Sequence, residues 1–144
     1  MSLDFTHSIQ IQRQADEVFA YIADFEHNPA WQGGMQSCHW TSDERMVVGA
    51  TYVQQARFLG RTIDTHFRVT EFRAGRSISI ESTVSTFPIQ VTRSVDPQGD
   101  DACRVTAHVR GQPKGLLKLL SGMVKKSIRK DYQTLKTTLE ARSG

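Results

Sequence analysis

The stretch KGLLKLLSGMVKKSIRKDYQTLKTTLEAR, residues 114–142, decides the fold. Leu116, Leu120, Met123 or Val124, Ile128, Tyr132, Leu135 and Leu139 recur at steps of three to five, the spacing of one apolar stripe on an α-helix. Lys118, Lys125, Lys126, Arg129, Lys130 and Lys136 lie mostly off that stripe. At about 1.5 Å per residue, the helix predicted from Lys114 to Arg142 is about 40 Å long.

Upstream of it the period changes to two. Residues 103–109 place Cys103, Val105, Ala107 and Val109 on one face. Residues 89–95 place Ile89, Val91, Arg93 and Val95 together, and residues 77–84 do the same for Ile78, Ile80, Ser82 and Val84. Residues 62–72 align Ile63, Thr65, Phe67 and Val69. Residues 51–58 and, more weakly, 35–41 read as further strands, and Phe5, His7, Ile9 and Ile11 mark a first one. Turn chemistry at Gly60-Arg61, Ala74-Gly75 and Asp96–Asp100 makes the connections short, so the strands pair antiparallel. One apolar face per strand means that one face of the sheet is packed.

Between the first two strands, Val18, Phe19 and Ile22 give ADEVFAYIADF the spacing of a short helix, with Asp16 and Glu17 in its first turn. Asn28-Pro29 ends or kinks it. A second helical turn reaches Trp31, and Gly33-Gly34 breaks the chain. A one-faced sheet and one striped helix have an economical solution: the sheet curls around the helix. The expected class is therefore α+β, a single domain over residues 1–144. It holds a curved seven-stranded antiparallel sheet around a long C-terminal helix, with two short helices after the first strand.

This order resembles the START-like superfamily, also called SRPBCC, with its helix-grip fold. Within it the chain is similar to the polyketide cyclase/dehydrase and lipid-transport group. The residues that carry the resemblance are Asp24, Pro29 and Trp31 in ADEVFAYIADFEHNPAWQGG, Gly49-x-Thr51, Val69-Thr70-Glu71-Phe72 before a turn, and Gly111-Gln112-Pro113 before the long helix. They span nearly the whole chain, but they specify fold rather than function. The resemblance implies a deep cavity between sheet and helix. Members bind lipids, polyketides, steroids or plant hormones, and some catalyse cyclisation or dehydration.

A curved sheet cannot close on a helix along its whole length, so part of the apolar face should line a void. Small or polar residues on that face leave room: Thr65, Ser82, Arg93 and Ala107. The expected lining adds Phe67, Val69, Ile80, Val91 and Val109 from the strands, and Leu120, Met123, Val124 and Ile128 from the helix. Methionine suits ligands of variable shape. Trp40 is expected to reach the cavity, whereas Trp31 reads as a packing anchor. Arg93 interrupts an apolar run, and a charge there is costly unless paired or hydrated. It reads as an ion pair with an acid such as Glu71, as a residue turned outward by a bulge, or as an anchor for a carboxylate, enolate or phosphate.

The remaining residues argue against several chemistries. His66 and His108 alternate away from the apolar face, and His7 lies on it. His27 and His39 flank the Trp31 and Trp40 region. No inward acid–base pair, nucleophile arrangement, metal-ligand spacing or phosphate loop can be read from the spacing, so no cofactor or metal is expected. A net charge of +3 is too small for a dedicated nucleic-acid binder. The basic helix face reads as solvated surface, with a transient membrane-surface contact as its minor reading. Cys38 and Cys103 read as thiols in a reducing cytoplasm, with a disulfide between them as the minor reading, and no signal peptide or membrane span is visible. The expected function is binding or transport of a small hydrophobic molecule by a monomer or homodimer. A polyketide cyclase or dehydratase is the alternative, and a protein-partner module using the exposed helix face is a third.

Overall fold

The computed structural model describes residues 3–58, 60–113 and 121–142. Strand β1 (Leu3–Ile11) is followed by helix α1 (Ala15–Ala23) and a 3-10 helix (Phe25–Ala30). Then come β2 (Met35–Trp40), β3 (Thr51–Phe58), β4 (Arg61–Arg73), β5 (Ser77–Val84), β6 (Ile89–Pro97), β7 (Cys103–Gly111) and helix α2 (Ser121–Glu140). The seven strands form one sheet in the order β1-β7-β6-β5-β4-β3-β2, every neighbouring pair antiparallel. This is the helix-grip α+β arrangement expected from the sequence. The earlier part of the predicted long helix, including Leu116 and Leu120, lies outside the described residues.

Bulges bend the sheet. The register shifts in β2 between Met35 and Ser37, and twice along the 13-residue β4, at His66/Phe67 and at Val69/Glu71. One of these corrects the sequence reading. Strict alternation puts Val84 with Ser82 on the inner face. In the structure Phe67 pairs with Ser82 while His66 pairs with Val84, so the extra residue turns Val84 outward, where it is 61% exposed.

The core fills one end of the fold first. Val18 and Ile22 of α1 are fully buried against β5, β6 and β7. Leu135 and Leu139 of α2 are also fully buried, and Tyr132 nearly so. Each such side chain contributes roughly 1.5–3 kcal/mol by burial. Polar ties hold the same end of α2. Lys136 Nζ donates to the Gln10 carbonyl at 2.6 Å, Gln12 N donates to Glu140 at 2.8 Å, and Arg13 Nε donates to the Leu139 carbonyl at 2.9 Å. Toward its start α2 loosens: Ile128 and Val124 are half-buried and Met123 is 50% exposed. The grip is tight at the C-terminal half of the helix and open at its beginning.

Candidate functional site

Where the grip opens there is a pocket of about 300 Å3. Its described walls are Gln54 and Ala56 of β3, Ile63 and Thr65 of β4, Thr86, Phe87 and Ile89 around the β5–β6 turn, Leu3, Pro113, and Ser121 and Val124 of α2. The sheet register explains the wall: Gln54 stands opposite Thr65, and Ala56 opposite Ile63, all four on the inner face. Ala56 and Thr65 are short, so space remains between the sheet and the first turn of α2. The lining is mainly apolar, with a few hydroxyls and one amide, the chemistry of a small-molecule site.

The β5–β6 turn is fixed by serine hydroxyls. Ser82 Oγ accepts from Ile89 N at 3.0 Å and from Ser85 Oγ at 2.9 Å, and Ser85 Oγ also lies 2.6 Å from the Phe87 carbonyl. Gly111 makes room for this turn. A Cβ there would lie 3.1 Å from Phe87 Cε2 and 3.3 Å from the Pro88 carbonyl oxygen.

Of the residues expected to line the cavity, Thr65 and Val124 do so. Phe67, Val69, Ile80 and Ala107 are buried in the core, with Ala107 between His7 and Arg93 in register. Val91, Val109 and Ile128 are half-buried beside the pocket's own residues, outside its wall. Ser82 holds the turn as described. Trp40 packs edge-on against Phe25 and donates its Nε1–H to Asp24 at 2.8 Å, away from the pocket. Leu120 lies outside the described residues. Sequence reasoning missed most of the wall. Ile63 and Ile89 were one step further along faces already assigned. Gln54 and Ala56 alternate with the buried Tyr52, a signal that was available.

Arg93 faces inward and is 3% exposed. Neither an acid partner nor an outward bulge accounts for it. Its Nη1 donates to the Ile22 carbonyl at 2.8 Å and to Asn28 Oδ1 at 3.0 Å. The guanidinium carbon lies 4.3 Å from the Phe25 ring centroid and 4.9 Å from that of Trp31. Its Nε has no hydrogen-bond partner among the described residues. The side chain thus stitches β6 to the end of α1 and to the 3-10 helix, and it is not part of the pocket wall. Burial pushes the Tyr52 and Tyr132 hydroxyls above their ordinary range, and the nearby Arg93 charge opposes this in both.

Asp24 does two local jobs. Its carboxylate caps the 3-10 helix by accepting from Glu26 N at 3.1 Å, and it receives the Trp40 indole. No histidine lines the pocket among the described residues. His66 and His39 are exposed, and His108 Nε2 is 2.7 Å from Asp4. His27 stacks on Tyr21 at 4.2 Å. His7 packs beside Tyr132, and burial, followed by the Arg129 charge, lowers its pKa. Both cysteines are buried and unpaired, with burial raising Cys38 to about 12 and Cys103 to about 11. Among the described residues no group of three or more His, Cys, Asp or Glu is placed to hold a metal.

The comparisons agree with this architecture. A family model described as polyketide cyclase / dehydrase and lipid transport matches residues 2–140. No curated protein matches the chain. Among solved structures, a START superfamily protein from Mycobacterium smegmatis superposes with a TM-score of 0.73 at 16% identity, covering 96% of this chain and 95% of its own. The Zhui aromatase/cyclase from Streptomyces sp. R1128 superposes at 0.81 and 11% identity, covering 99% and 96%. Norcoclaurine synthase from Thalictrum flavum, solved with dopamine and hydroxybenzaldehyde, superposes at 0.71 and 14% identity, covering 100% and 90%. At these identities the likeness is one of fold.

Proposed function

The chain belongs to the polyketide cyclase/dehydrase and lipid-transport family, and from that premise we propose that it binds a small hydrophobic molecule in the pocket at the start of α2. The observation that carries this reading is the pocket itself, about 300 Å3 and mainly apolar. That volume is at the lower end of the roughly 300–1,000 Å3 of small-molecule sites, so the ligand is compact. Apolar burial supplies most of the affinity, and Gln54, Thr65 and Ser121 orient the ligand's few polar atoms.

Binding rather than catalysis is supported by what the wall lacks. Among its described residues none titrates near neutral pH, so no side chain there is suited to proton transfer. Arg93 serves in this reading as a buried staple. We place the protein in the cytoplasm, in keeping with two unpaired buried thiols. Among the described residues no helix is long and apolar enough to cross a membrane.

Native mass spectrometry of freshly purified protein should reveal a co-purified apolar compound. Replacing Ala56 with Trp fills the pocket and should weaken that compound's binding at least about tenfold, or about 1.4 kcal/mol. The melting temperature should change little. Undiminished affinity in Ala56→Trp would remove the pocket as the site, and repeated turnover of the compound would make the protein an enzyme.

A further inference from the structure

Resting on the reading that the pocket takes an apolar ligand, we propose that the pocket end of the molecule docks on an anionic lipid bilayer. The antiparallel sheet sorts residues by end: β1, β4 and β6 begin there, and β3, β5 and β7 finish there. Exposed Arg57, Arg61 and Arg110 stand at strand ends on this side, and Lys126, with half-buried Lys125, stands on the first turns of α2. Two carboxylates stand beside them: Asp4, opposite Arg110 and 2.7 Å from His108 Nε2, and Asp64, which accepts from Gln55 Nε2 at 3.1 Å. At the opposite end, the exposed acids Asp16, Asp43, Glu44, Asp96, Asp100 and Asp101 outnumber the exposed Arg45, Arg73, Arg76 and Arg104. Among the described residues, a net charge of +3 thus divides into an excess of cations at the pocket end and a smaller excess of acids at the other.

Apolar side chains accompany the cations. Met123 is 50% and Val84 61% exposed, both at the pocket end, while exposed Val47 and Val48 stand apart from these cations in the β2–β3 connection. Cations around exposed apolar groups suit a bilayer, whose headgroups take the charge and whose acyl boundary takes the methionine and valine. A nucleic acid would leave the apolar groups without a partner. Docked this way, the mouth of the pocket opens onto the membrane, where apolar ligands partition.

Co-sedimentation with vesicles tests the proposal on the full chain. The vesicles are phosphatidylcholine alone, or with about a third phosphatidylglycerol. Binding is expected only to the anionic vesicles, falling at least about tenfold as salt rises from about 0.05 M to 0.5 M. The pocket-end reversal R61E/K126E should weaken binding about tenfold or more, whereas R73E/R76E at the other end, with the same change of net charge, should cost less than about twofold. Equal loss in both pairs, equal binding to neutral vesicles, or displacement from the vesicles by a short DNA duplex would overturn the proposal. Ala56→Trp should still dock; loss of docking in it would likewise overturn the charged face as the contact. An empty pocket shows up only in the ligand assay, so failure of one reading is distinct from failure of the other.

Discussion

Arg93 was visible as an inward charge in the sequence because it falls in the alternation Ile89-Val91-Arg93-Val95. Its partners were not visible. They come from Ile22 and Asn28, 71 and 65 positions away, and one of them is a main-chain carbonyl that no side-chain pattern reports. Removing the guanidinium strands two buried acceptors, each costing about 1–3 kcal/mol. Arg93→Met is therefore expected to lose about 2 kcal/mol or more in urea denaturation. Apolar ligand affinity should be nearly unchanged, because the side chain stands outside the pocket wall. A selective loss of acidic ligands in Arg93→Met would restore it as an anchor. Asp131 is the other residue whose surroundings decide its role. Its Oδ1 accepts from Gly33 N at 2.9 Å, and burial raises its carboxyl above the ordinary 3.8. The fold thus favours the protonated form. Its contribution to stability is full below pH 3.8 and is lost as pH rises through the folded value. Asp131→Asn keeps an acceptor for Gly33 without the charge. It should melt a few degrees above the parent at neutral pH, and the two curves should converge below about pH 4.

Among the elements, α2 has two halves with different duties. Leu135 is fully buried in the tight half, whereas Val124 is half-buried and lines the pocket. Leu135→Ala should cost about 2–5 kcal/mol, the range for a cavity opened in a closed core. Val124→Ala only enlarges a space already present, and should cost about 1 kcal/mol or less. Equal losses, measured by denaturant midpoints at constant slope, would contradict the division. The apolar stripe on this helix was legible from its spacing. The difference between its halves was not, because leucine and valine repeat alike whether the facing side chain is long or short. Likewise alternation carried β4 and β5 until the bulge. A period of two cannot register one extra residue, so Val84 was placed on the wrong face.

At the scale of the whole molecule, the sheet, its antiparallel order and the embraced helix followed from period, turn residues and length. The location of the opening did not. It depends on how far the sheet curls at each end, which the polar ties at Gln10, Gln12 and Arg13 decide on one side and the short side chains Ala56 and Thr65 decide on the other. The strand order has a further consequence, for time rather than shape. β1 pairs along its whole length with β7, from Leu3 opposite Gly111 to Ile11 opposite Cys103, and α2 then ties itself to β1. Strand β1 therefore waits for β7 and α2, made about a hundred residues later, before it acquires a neighbour. With so much of its pairing between the two ends of the chain, the domain belongs among the slow folders, those whose barrier is dominated by closing long loops. The sheet cannot close until β7 has been made.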